Sequence, residues 1–157
     1  MTKKFSNLKV GDEFFSECRI SLSELNNYLA FAKIKNVLFE NNKKSKNEQV
    51  QKMVSGRAIL GRMEGEFTKL DEMYGNLLIF YGMDGDSSWN GRHARFLKPL
   101  YLDENLKIKF KIVEKEDLDD DFGLLAVDFE GYKENGDLVV ISKRNLYQIK
   151  KDPPKNQ

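Results

Sequence analysis

Glu64 and Glu66 lie on a stretch that could do chemistry, residues 53–70, Met-Val-Ser-Gly-Arg-Ala-Ile-Leu-Gly-Arg-Met-Glu-Gly-Glu-Phe-Thr-Lys-Leu. Ile59, Leu60, Met63, Phe67 and Leu70 recur at helical spacing, so the stretch is predicted to be a buried helix. A carboxylate buried on such a helix has a raised pKa suited to activating water. Pairing with Arg57 or Arg62, both close in sequence, is the plainer use of the two glutamates. The helix also carries Gly56, Gly61 and Gly65, although each interior glycine costs ~1 kcal/mol against alanine. Gly61 and Gly65 share a face, which predicts the close approach of another backbone. Gly56 opens the helix, where unpaired amides and the helix dipole favour an electron-rich oxygen such as a carbonyl. Ser55 precedes it, either donating to that oxygen or capping the helix. A core helix packed tightly with no ligand fits the same pattern.

Other residues offer less. His93, the only histidine, falls in a predicted strand, Trp89–Leu97. If Ala94 and Phe96 face the helix, His93 faces away, toward solvent or a partner, and acid–base work is the lesser reading. Asp84-Gly-Asp86-Ser-Ser-Trp-Asn90 departs from a calcium loop, having Trp89 at the glycine position and Arg95 at the terminal glutamate. Asp119-Asp-Asp121 reads as a hairpin tip. One histidine and one cysteine, Cys18, argue against a structural zinc site, and no metal or other cofactor is expected.

The 157 residues suffice for one domain with a sizeable core, taken as a single unit over 1–157 with a frayed tail from 151. A formal net charge of +1 leaves no electrostatic footprint for nucleic acid or an anionic membrane. A lone cysteine fits a reducing compartment. The start, Met-Thr-Lys-Lys-Phe-Ser, leads into no apolar run of signal-peptide length, and no segment has the apolar length of a membrane span. The expected location is therefore cytoplasmic.

The elements that must position these residues follow from periodicity. Phe14–Ile20 reads as a strand, and Ser21-Leu-Ser-Glu24 is a capping box opening an amphipathic helix over 22–33. Residues 40–50 are polar and read as an exposed loop or helical overhang. Past the central helix the period becomes two, with strands at Asn76–Met83, Trp89–Leu97, Asn105–Val113, Gly123–Tyr132 and Leu138–Ile149. Leu106, Ile108, Phe110 and Ile112 alternate with Lys107, Lys109 and Lys111, the mark of a half-buried strand. Glu134-Asn-Gly-Asp137 predicts a type I′ hairpin. The order defines an α+β domain with an antiparallel sheet.

This order resembles the hot-dog fold, a curved antiparallel sheet wrapped around one long helix, and within it the MaoC-like dehydratases. The resemblance spans about Phe5 to Ile149. It is carried by Leu8-Lys-Val-Gly-Asp12, by the helix entry Val54-Ser-Gly-Arg57 and by Ala94-Arg-Phe-Leu-Lys-Pro-Leu-Tyr101. It implies a ligand that is an acyl thioester of coenzyme A or acyl carrier protein, hydrated at a trans-2-enoyl group or dehydrated in reverse. The thioester carbonyl would meet the amide of Gly56. The family's Asp-x-Asn-Pro-x-His motif falls on Ile34-Lys-Asn-Val-Leu-Phe39: Asn36 is retained, Ile34 replaces the aspartate and Phe39 the histidine. Neither replacement exchanges a proton, so whether the chain is an enzyme is left open. The resemblance also implies a homodimer, or a heteromer with an active hot-dog subunit, and a pocket lined by Tyr28, Phe31, Phe39 and Met53. Arg92, Arg95 and Lys98 would be placed to meet a phosphate arm. A hot-dog thioesterase using Glu64 or Glu66 is the remaining alternative.

Overall fold

The computed structural model describes residues 1–36, 38–39, 53–84 and 94–151. The polar stretch 40–50, the aspartates of 84–90 beyond Asp84, His93 and the tail from 152 therefore lie outside the described residues. A short 3-10 turn, Phe5–Asn7, leads into strand β1 (Glu13–Cys18) and helix α1 (Leu22–Ala32). The central helix, α2, runs Gly56–Lys69, followed by β2 (Leu78–Met83), β3 (Ala94–Phe96), β4 (Leu106–Asp117), β5 (Phe122–Tyr132) and β6 (Leu138–Lys150).

The strands form one antiparallel sheet in the order β1-β4-β5-β6-β2, with β3 also pairing β6. Alternation places Leu106, Ile108, Phe110 and Ile112 against α2 and their lysine neighbours on the outer face. From α2, Ile59, Met63 and Phe67 are buried into this surface. The Phe67 ring lies 5.3, 5.7 and 5.2 Å from Phe110, Phe129 and Tyr147, a core aromatic cluster whose pairs each add about 0.5–1.5 kcal/mol beyond area burial. Register shifts at Ile112/Glu114, Val127/Phe129 and Phe80/Gly82 fall on neighbouring strands, so one band of irregularity crosses the sheet. Arg144 within that band has a positive φ of 51°. Bulges bend and twist strands, and this band curls the sheet around the helix.

Several expectations are corrected. Among the described residues, Gly61 and Gly65 receive no other backbone: a Cβ on either would meet nothing within 4 Å, because both lie off the stripe that faces the sheet. The 134–137 hairpin is not type I′. Gly136 has φ +92°, Asn135 does not share the positive φ that type I′ requires, and Gly136 N donates to Lys133 O at 2.9 Å. This is the longer connection in which a tight turn is followed by a left-handed glycine. Of Trp89–Leu97, the described residues form a strand only over Ala94–Phe96. The capping box is present: Ser21 accepts from Glu24 N, and the Glu24 side chain accepts from Ser21 N.

Candidate functional site

The N-terminus of α2 is the centre of the site. Ser55 is the N-cap residue by position, yet its side chain accepts no hydrogen bond from the helix amides. Among the described residues, the first turn thus lacks the capping hydroxyl that normally satisfies one of its donors. Ser55 itself is buried, at 6 % exposure. Residues 53–55 are fixed by a bridge from Met53 to Tyr101 and by Val54 N donating to Leu100 O at 2.8 Å. These two segments form the walls of an open groove of about 630 Å³.

The groove is mostly apolar. Leu38, Phe39, Met53, Val54, Ile59, Phe96, Leu97, Pro99 and Leu100 line it, and its polar residues are Asn36, Ser55, Arg57 and Lys98 beside Gly56. Lys98 is engaged by Asp137 at 2.8 Å. Among the described lining residues there is no carboxylate and no histidine. This arrangement can desolvate an apolar chain and offer backbone amides to an oxygen at one end. Its described residues include no side chain suited to passing protons near neutral pH. Asn36 Oδ1 accepts from Leu38 N at 3.0 Å and Asn36 O accepts from Phe39 N at 2.9 Å, and Phe39 lines the groove.

Of the residues expected here, Asn36, Phe39, Met53, Ser55 and Gly56 come together. Tyr28 does not line the groove and packs instead against the core, while Phe31, at 86 % exposure, points to solvent. Neither lines the described groove, because α1 turns Leu25, Tyr28 and Leu29 toward the core. Arg95 is exposed and outside the groove, since neighbours on a strand take opposite faces and Phe96 takes the groove side. Ile34 also stands outside it, tied to the end of α1 by its N–H to Leu29 O at 3.1 Å.

Both helix glutamates are occupied elsewhere. Glu64 and Glu66 lie ~12 and ~15 Å along the axis from Gly56. Glu64 accepts from the buried Tyr147 hydroxyl at 2.7 Å, and burial followed by this contact pushes the phenol pKa upward. Glu66, at 6 % exposure, accepts from Ser16 at 3.0 Å, Arg62 at 3.1 Å and Lys69 at 3.2 Å. Burial alone would raise its pKa, but the hydrogen bonds from Arg62, Lys69 and Ser16 outweigh it and the net shift is downward. The raised carboxylate expected on this helix is therefore corrected for Glu66. Arg62 also reaches Glu24 at 2.8 Å, so the cluster fastens α1 to α2.

A second groove, about 650 Å³, lies on the outer face of the sheet around Phe15, Lys107, Lys109 and Tyr132. Its lysines are paired, Lys109 with Glu130 at 3.4 Å, Lys107 with Glu134 at 3.6 Å and Lys133 with Glu104 at 3.2 Å, and none of its described lining residues lies in a helix. Sequence reasoning missed Phe96, Leu97, Pro99 and Leu100 as groove residues. The signal available was the pairing of an apolar run with Pro99, a residue that cannot continue a ladder.

Neither a protein-family model nor a curated protein matches the chain. Solved structures do share its architecture. A monoamine oxidase regulatory protein from Archaeoglobus fulgidus is 18 % identical, with a TM-score of 0.74 and 97 % of each chain covered. The unliganded R-hydratase of Pseudomonas aeruginosa is 15 % identical, with a TM-score of 0.69 over 98 % of this chain and 88 % of that one. A MaoC-like dehydratase from Rhodospirillum rubrum is 12 % identical, with a TM-score of 0.65 over 96 % and 98 %. The chain has the hot-dog fold, the α+β class expected from its periodicity.

Proposed function

We propose that this chain is a MaoC-like hot-dog protein that binds an acyl thioester, of coenzyme A or of acyl carrier protein, without hydrating it alone. The single observation that carries the reading is the uncapped first turn at Gly56 opening into an apolar groove. The thioester carbonyl would accept from that turn while the acyl chain lies along Phe39, Met53 and Leu97. Ile34 and Phe39 replace the acid–base pair of the family motif, and the described groove residues supply no substitute. The hydratase reading then requires a pair from outside the described residues or from another subunit. The thioesterase reading is disfavoured because Glu64 and Glu66 lie far from Gly56 and are engaged by Tyr147, Ser16, Arg62 and Lys69.

The partner is a second hot-dog chain, a copy of this one in the simplest case. Among the described residues strand β2 is an edge, and Leu77, Ile79, Phe80 and Tyr81 along it remain 44–58 % exposed. Long apolar edges are templates for pairing. The reading includes a cytoplasmic location and no role with nucleic acid or membrane. Among the described residues no helix is long and apolar enough to cross a membrane.

Titration calorimetry with a panel of saturated and trans-2-enoyl coenzyme A thioesters tests the binding. Saturable binding with unchanged enoyl absorbance is the expected result. Loss of that absorbance in the native chain refutes the non-catalytic part, and no binding to this panel or to the same acyl groups carried on acyl carrier protein refutes the whole.

A further inference from the structure

The first turn of α2 contains a steric pair formed across forty residues of sequence. A Cβ placed on Gly56 would lie 2.9 Å from both Cε2 and Cζ of Phe96. The ring therefore rests on the Gly56 backbone, and a side chain at 56 would have to displace it. Phe96 is held in place by the sheet. It pairs with Val140 on β6, and Leu97 N donates to Val139 O at 2.8 Å. The ring is 40 % exposed and lines the groove, so it covers the helix entry on one side and leaves the other side open.

A hydrogen bond from a backbone amide strengthens as competing water is removed from around it. A side chain on residue 56 could shield the turn only by crowding its own amide. A ring donated by β3 shields it without that cost. We infer that Phe96 is a positioning residue for a carbonyl ligand of the α2 entry, excluding water beside the first-turn amides and limiting the oxygen to one direction of approach. This inference rests on the acyl-thioester reading above. Its substance is that Phe96 acts on the carbonyl contact in particular, beyond serving as apolar wall.

The test compares two ligands of equal chain length, an S-acyl coenzyme A and its S-alkyl analogue, which lacks the carbonyl. Titration calorimetry on the native chain is expected to give about a tenfold preference for the thioester, the factor supplied by one good hydrogen bond. In Phe96→Ala that preference is expected to fall below about twofold, with the thioether affinity reduced far less than the thioester affinity. Phe96→Leu keeps an apolar cover and is expected to retain an intermediate preference. It carries the test should the alanine variant fail to fold by circular dichroism. The carbonyl stretch of a 13C-labelled thioester gives an independent reading: its red shift on binding should shrink in the same order. If Phe96→Ala weakens both ligands equally and the preference survives, the ring is only wall and the inference is overturned. If the native chain binds without preference, or binds neither ligand, the acyl-thioester reading fails, and the inference with it.

Discussion

Alanine replacements at Gly56, Gly61 and Gly65, one at a time, should give opposite signs within a single helix. At Gly61 and Gly65 the new Cβ meets open space. Only the helix-propensity term then operates, and each variant should gain about 0.5–1 kcal/mol. At Gly56 the same methyl lies 2.9 Å from two ring carbons of Phe96, whereas apolar carbons rest near 3.5–4.0 Å. The ring must retreat by roughly 1 Å or swing toward solvent. Overpacking costs about 1–3 kcal/mol where neighbours cannot yield, and a half-exposed ring yields in part, so we expect a loss near 1 kcal/mol. Urea denaturation of the three variants, with Phe96→Ala and Gly56→Ala/Phe96→Ala completing a double-mutant cycle, measures the pair. Residues in contact couple by about 0.5–3 kcal/mol, and the cycle should return a coupling within that range. A Gly56→Ala variant as stabilised as Gly61→Ala would refute the contact. A loss at Gly61 or Gly65 would refute the open-space argument and show that another surface covers them.

Other perturbations address the remaining groups. Glu66→Gln should cost about 2–3 kcal/mol, below the usual 3–5 for a fully buried pair because Lys69 is largely exposed, as read by chemical denaturation. The downward shift at Glu66 also fixes a pH effect. Its folded pKa lies below the unfolded value, so its stabilisation is present at neutral pH and is lost as the pH falls through the folded value. The native chain should therefore lose more stability than Glu66→Gln on acidification below about pH 4.5. Tyr147→Phe removes the donor to Glu64 and should cost about 1 kcal/mol while leaving thioester affinity unchanged. Ile79→Lys places a charge on the β2 edge and should abolish the dimer proposed through that edge, leaving a monomer in light scattering without lowering its helical content.

What the sequence makes legible is what depends on near neighbours. The capping box at Ser21 and Glu24, the alternation in β4 and the apolar stripe of α2 are local patterns, and each predicts its element to within a few residues. The turn at 134–137 is visible as a turn, yet its type depends on where β5 ends and β6 begins, a matter of register. Long-range contacts are invisible. Glu66 looks like a poised carboxylate until Ser16, fifty residues earlier, and Lys69 are seen to satisfy it. Gly61 and Gly56 look alike in the helix, but only the second meets a side chain from β3. Phe31 belongs to an amphipathic helix by period, yet the orientation of α1 is set by Leu25 and by the Glu24–Arg62 pair, so the ring is turned outward.

Holding a thioester and transforming it make different demands on a groove of this kind. Hydration requires a proton donor and a base on either side of one water, so charge must develop inside the site. Around Gly56 the described walls are mostly apolar, Lys98 is paired with Asp137, and Arg57 is the other charged residue of the lining. An ionised acid–base pair would be expensive there without partners. Installing Ile34→Asp and Phe39→His together therefore tests more than the motif. Phe39 lines the groove, so its histidine would reach the ligand, whereas position 34 lies outside it at the end of α1. The expected result is a folded variant whose thioester affinity falls as pH drops through the histidine's titration and that shows little or no enoyl hydration. Protonating a histidine beside an apolar acyl chain weakens the groove, and an aspartate held by the α1 terminus is poorly placed to serve as the second group. Efficient hydration by the double variant would refute this geometry, placing residue 34 within reach of the bound ligand.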